Sequence, residues 1–233
     1  GLGDVYKRQV QWNLSPVVDV NNNPLNPIIN TRSFSERPEI VSEFALRYIK
    51  GLQDFGMIST AKHFPGHGDT QTDSHSSLAM IPSDSSRLWS IELKPFIDVA
   101  KAGVDAVMIA HVHAPDFQPE ADRPATLSDF WVTDILRNQI GYNGTIITDG
   151  MGMGGVTKNY SDDFALVETV KAGCDIIIQN HDIVGSIDAI EEAVLNGEIS
   201  LDRINSSALK MLKMKEKVGL HLNPYVNIES MMN

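Results

Sequence analysis

The run GTIITDG, Gly144 to Gly150, is apolar or β-branched until it closes on a carboxylate. β-Branched side chains favour strands, and a run without polar alternation fits a strand buried on both faces. Gly150, Gly152, Gly154 and Gly155 follow and let the chain turn tightly where the strand exits. Four other stretches read in the same way: VQWNLSPVVDV (10–20), MISTAKHF (57–64), DAVMIAHV (105–112) and DIIIQ (175–179). Between and after these runs, amphipathic patterns predict helices over 38–55, 84–102, 127–141, 162–173, 183–197 and 202–219. Ser128 or Asp129 is expected to cap the third helix, and Ser200 or Asp202 the last. Gly103, Gly141, Gly173 and Gly219 stand just past helix ends, where a left-handed residue costs least.

This β-then-α alternation predicts a parallel sheet with right-handed crossovers. An open doubly wound sheet and a (β/α) barrel compete to close it. No Gly-rich phosphate fingerprint follows any strand. Polar residues gather instead at strand ends: Asp19, Lys62 with His63, His111 with His113, and Asp149. Such convergence is what a barrel site needs. The expected fold is therefore α/β, a TIM-like (β/α) barrel, incomplete at the N-terminus because five strands are too few to close eight. Residues 10–225 form that barrel fragment. GLGDVYKRQ (1–9) lacks an initiator Met and a clear period and reads as a non-native leader; residues 226–233 read as a truncated tail.

A net charge of −11 argues against nucleic acid, whose phosphates demand clustered Lys and Arg. With 42% hydrophobic and 21% charged residues, the 233-residue chain can bury a core. No apolar run approaches the ~18 residues needed to span a bilayer. The single cysteine, Cys174, cannot form an internal disulfide and reads as a small buried hydrophobe. Localisation and oligomeric state are left open.

Several residues are candidates for chemistry. Asp149 is either a site carboxylate placed by rigid backbone or a cap for the following helix. Lys62 and His63 alternate sides of a strand, so only one faces the barrel axis unless the chain twists. Arg32, in NTRSFSERP, carries a planar five-donor head suited to polyhydroxy or carboxylate ligands, or is an ordinary loop arginine. Asp73 and His75 form a D-x-H pair in a loop, where a carboxylate can orient an imidazole and hold its tautomer for proton transfer; an incidental loop histidine is the plainer reading. His63 and His67 have H-x3-H spacing, but Pro65, Gly66 and Gly68 forbid the helix that would give it metal geometry. His111 and His113 share a strand face and read as ligands, core or pocket lining. Neither metal nor cofactor is expected.

Taken together, NLSPVVDV, INTRSFSERP, AKHFPGHGDTQTDSH, VMIAHV, RPATLS, IITDGMGM and AGCDIII resemble glycoside hydrolase family 3, specifically its β-N-acetylglucosaminidase branch. The resemblance implies a retaining double displacement on terminal β-linked N-acetylglucosamine. Asp149 matches the nucleophile, His75 the general acid/base and Asp73 its dyad partner. Arg32, Lys62 and His63 match residues that bind the sugar, and His67 is read as shaping the loop. The expected partner is an N-acetylglucosamine-containing oligosaccharide or muropeptide, since bacterial relatives act on cell-wall fragments or chitin oligosaccharides. The family's DQEGG-like acidic segment has no counterpart here, and longer members continue into a second α/β domain. Activity is accordingly expected of the full-length parent.

A β-N-acetylglucosaminide phosphorylase is the alternative, and a non-catalytic sugar-binding barrel is a further one. The latter would have no reason to keep Asp149 together with the Asp73–His75 pair.

Overall fold

The computed structural model of the chain describes residues 10–82, 84–179, 181–222 and 224–225. The stretches read as leader and tail lie outside the described residues. Four parallel strands, β1 (Thr60–Phe64), β3 (Ala106–Ile109), β5 (Thr145–Gly150) and β6 (Ile176–Ile178), pair in the order β1-β3-β5-β6. A separate parallel pair joins β2 (Ala79–Met80) to β4 (Val112–His113). Helices α1 (Pro38–Asp54), α2 (Lys94–Lys101), α3 (Phe130–Gln139) and α4 (Asp162–Ala172) alternate with the strands of the larger sheet; α5 (Ile183–Leu195) and α6 (Leu201–Lys217) end the described chain.

The run 10–20 lies alongside β1, with Ile58 N–H donating to Gln11 O at 2.8 Å and Val18 N–H to Lys62 O at 2.7 Å. It makes only two isolated parallel bridges, Trp12 to Ile58 and Val17 to Lys62, rather than the continuous strand expected. Pro16 has no N–H to give to a ladder. Five neighbouring runs thus follow chain order with no reversal. A doubly wound sheet needs a reversal, the point where its ligands bind; sequential order belongs to the TIM-like α/β barrel.

Side-chain alternation sorts the two faces. On the inner side, Ala106, Met108 and Ile147 meet Trp12, Leu14, Ile176 and Ile178. On the outer side, Val107, Ile109 and Ile146 join the core under the helices, where the Phe64, Phe96 and Trp131 rings pack edge to face. Asp149 stands two residues beyond Ile147, at the strand's C-terminal end.

Two helix expectations change. The segment expected as one helix over 84–102 breaks at a wide turn, Leu88–Glu92, before α2. Leu93 N–H reaches back to Leu88 O at 2.8 Å. Pro95, one residue inside α2, offers no N–H and crowds the carbonyl four residues back, so a regular helix cannot run through it. Neither Ser128 nor Asp129 caps α3, because the Ser128 hydroxyl donates to Glu120 Oε1 at 3.0 Å instead. Ser200 caps α6 as expected, accepting from Arg203 N–H at 3.2 Å. Gly103, Gly141, Gly173 and Gly219 all adopt positive φ. Cys174 is buried, and burial pushes its thiol up to about 12.

Candidate active site

The parallel register slips in two places: between Ala61 and Phe64 of β1, and between Ile147 and Gly150 of β5. Both slips sit at the C-terminal ends, at Lys62, His63 and Asp149. Local irregularity of this kind re-aims side chains that strict alternation would send to opposite faces. His63, which parity alone would turn away from Lys62, reaches Asp19 and Arg32.

Asp19 is fully buried and organises this corner. Its carboxylate accepts from His63 Nδ1 at 2.7 Å, from His63 N–H at 3.1 Å and from His67 N–H at 2.7 Å. Burial pushes the carboxyl up, but the electrostatic pull and hydrogen bonds of His63 and His67 bring it below its ordinary value. Arg32 Nη2 lies 3.3 Å from His63 Nε2. Guanidinium only donates, so Nε2 offers its lone pair and Nδ1 carries the proton to Asp19. Burial, then the Arg32 charge, push Lys62 down, while Asp149 and Asp19 pull it up. Arg32 and His63 therefore meet over Asp19, and Lys62 lies within electrostatic reach of Arg32, Asp149 and Asp19. The sequence reading placed Asp19 among the strand-end polar residues but gave it no part in the site; a carboxylate ending VVD at the same level as Lys62 was the available signal.

Asp149 Oδ1 accepts from the Gly150 N–H at 2.8 Å, and among the described residues Oδ2 takes no hydrogen bond. It caps no helix, which removes the structural alternative left open by its position. The loop carrying Asp73 and His75 comes next to it through backbone alone. Gly154 N–H donates to His75 O and Gly155 N–H to Ser74 O, each at 3.0 Å. A Cβ at position 154 would stand 2.6 Å from Ser76 O and 2.8 Å from His75 O, so only glycine allows this approach.

Within the loop, His75 Nδ1 and its N–H both reach Asp73 Oδ1, at 2.7 and 2.8 Å. The two nitrogens leave Nε2 as the free proton-transfer atom of a largely exposed ring. Asp73 is pushed up by burial, but the His75 N–H and imidazole bonds hold it below its ordinary value. His67 anchors the loop from below. Thr70 gives its hydroxyl proton to His67 O at 3.0 Å, so His67 Nδ1 donates to Thr70 Oγ1, and Nε2 accepts from the Ser74 hydroxyl at 2.9 Å. A neutral ring satisfies every contact, consistent with burial lowering its pKa. Asn26 braces the same turn by donating to His67 O at 2.7 Å and Thr70 O at 3.0 Å.

The H-x3-H spacing thus serves hydrogen bonds. His111 and His113 are buried, His111 on Thr126 and Gly150 and His113 on Gln118. Among the described residues no group of three or more His, Cys, Asp or Glu side chains is arranged to hold a metal ion.

The molecule is a TIM-like α/β barrel whose charged side chains meet at the C-terminal strand ends, the face on which barrel enzymes build their sites. The chain belongs to glycosyl hydrolase family 3: the sequence model of that family's N terminal domain matches residues 3–214. Beta-hexosaminidase A of Pseudoalteromonas piscicida is 35% identical over 228 residues, which is 90% of this chain and 38% of that protein. The solved structure of a family 3 beta-N-acetylglucosaminidase from Paenibacillus sp. str. FPU-7 superposes with a TM-score of 0.90 at 38% identity, over 96% of this chain and 43% of that one. Beta-glucoside phosphorylase BglX bound to 2FGlc gives a TM-score of 0.91 at 26% identity, over 98% and 43%. The chain spans less than half the length of each of these relatives.

Proposed function

We propose that the protein is the barrel part of a retaining β-N-acetylhexosaminidase that removes terminal β-linked N-acetylglucosamine. One observation carries the reading: the two backbone bonds from Gly154 and Gly155 tie the Asp73–His75 loop to the turn that follows Asp149. A carboxylate and a proton-transfer group are thereby carried on neighbouring, hydrogen-bonded segments, the two roles that retaining hydrolysis combines.

Asp149 Oδ2 attacks the anomeric carbon as its bond to the leaving oxygen breaks, and His75 Nε2–H protonates that oxygen. Water then attacks the glycosyl-enzyme, giving its proton to His75 and releasing the Asp149 carboxylate. Asp73 accepts from His75 Nδ1–H, which leaves Nε2 as the atom where the moving proton is gained and lost. Arg32, Lys62 and His63 bind the sugar hydroxyls and N-acetyl group. An imidazole here replaces the second carboxylic acid of the usual two-carboxylate template.

The assay that tests this pairs an aryl β-N-acetylglucosaminide with the matching β-glucoside. Preferential cleavage of the former supports the reading, and preference for the glucoside overturns the assignment of the sugar. A phosphorylase is the second reading, favoured by the likeness to the beta-glucoside phosphorylase. It predicts that added phosphate raises product release and yields a sugar phosphate; phosphate-independent release of free N-acetylglucosamine removes it.

A further inference from the structure

His111 is fully buried at the exit of β3, and the proposed chemistry gives it no step. Its ring is nevertheless fixed at both nitrogens. Nε2 lies 2.9 Å from Gly150 O, and Nδ1 2.8 Å from Thr126 Oγ1, which also reaches Ala110 O at 2.9 Å. A carbonyl only accepts, so Nε2 carries the proton; the one Thr126 hydroxyl proton goes to Nδ1 or to Ala110 O, not to both. Burial lowers the pKa of the ring against the upward pull of Asp149 and of the Gly150 bond.

Gly150 follows Asp149 directly and gives its N–H to the Asp149 carboxylate. Its carbonyl accepts from Met153 N–H at 3.1 Å as well as from His111. The residue is thus held on both sides of its Cα. Gly155 packs against the base of the side chain: a Cβ there would stand 3.0 Å from His111 Cβ and 3.1 Å from Ser74 O.

We propose that His111 is the positioning residue for Asp149, its Nε2–H fixing the Gly150 carbonyl and, through Gly150, the direction from which the carboxylate meets the anomeric carbon. This rests on Asp149 being the nucleophile. A displacement of about 1 Å at a reacting group costs about 100-fold in rate, so one buried hydrogen bond behind the nucleophile has leverage.

The test substitutes His111→Gln, His111→Asn and His111→Leu in the full chain. Each variant is assayed on two N-acetylglucosaminides, one with an activated aryl leaving group and one with a poor leaving group. The amide nitrogen of glutamine falls near the place of Nε2 and can donate to Gly150; that of asparagine stops at the level of Nδ1. Leucine fills the volume with neither bond. The expected result is a kcat within about fivefold of wild type for Gln, and a loss of about 50-fold or more for Asn and Leu, with KM nearly unchanged. The loss falls on both leaving groups alike, because both need attack by Asp149. Equal activity of Gln and Leu makes the ring a space filler and overturns the proposal. A loss confined to the poor leaving group also overturns it, since the ring would then act on the His75 loop. A full-length wild-type parent that turns over both glycosides with its covalent adduct on a residue other than Asp149 overturns the nucleophile reading itself, and the proposal with it.

Discussion

His75 and Asp149 divide the proposed chemistry, and each is held by a different kind of contact. Asp149 is fixed at Oδ1 by the next peptide N–H. His75 is fixed by Asp73 through its side chain and by Gly154 through its carbonyl. His75→Ala removes the proton donor without touching Arg32, Lys62 or His63. Turnover of a substrate with a poor leaving group should fall about 10²–10⁴-fold with KM little altered, while an activated aryl substrate loses far less in its first step. Steady-state kinetics on the two substrates read this directly; equal losses on both would remove His75 from the acid role. At this scale the candidate residues were legible because their types are uncommon at strand ends. The role of Asp19 was not, since its three bonds reach residues more than 40 positions away. Nor was the orientation of His63, which depends on a register slip that alternation cannot foresee.

At the scale of elements, the loop from His67 to Ser77 is a braced piece rather than a free flap. His67, Thr70, Ser74 and Asn26 lock its base, and Gly154 and Gly155 dock its tip. Just beyond, β2 pairs with β4 and pins the downstream end to the segment after β3. Gly154→Ala drives a methyl group into two carbonyl oxygens and should undock the tip. The expected cost is about 1–3 kcal/mol of stability, measured by urea unfolding, with faster amide exchange across residues 73–76. An unchanged exchange rate there would show that the docking contacts hold nothing in place. The strands and most helices were readable from apolar runs and period. The break before α2 needed only Pro95, whose effect on the turn behind it is a local rule. The docking was unreadable, because its donors and acceptors are backbone groups that every residue carries.

Across the whole molecule, buried carboxylates join distant parts of the barrel. Asp175, at the start of β6, meets Arg137 of α3 at 2.7 Å and Lys210 of α6 at 2.9 Å, and accepts from Ile146 N–H of β5 at 2.9 Å. Burial pushes it up, yet these bonds and charges bring it below 3.8, as happens for Asp19. A carboxyl with a depressed folded pKa contributes stability that is present above its unfolded value and is lost as pH falls through the folded one. Urea midpoints should therefore stay high down to about pH 4 and drop below it; an Asp175→Asn variant should show a shallower acid decline. A midpoint independent of pH across that range would contradict the role given to these groups.

The central claim is that Asp149 forms the covalent glycosyl-enzyme. Intact-protein mass spectrometry of the full chain treated with a fluorinated N-acetylglucosamine donor measures it most directly. The account predicts a single added glycosyl mass, mapped by peptide digestion to the residue at 149 and absent from an Asp149→Asn variant. An adduct on any other residue, or turnover of the donor by the Asn variant at the wild-type rate, would contradict it.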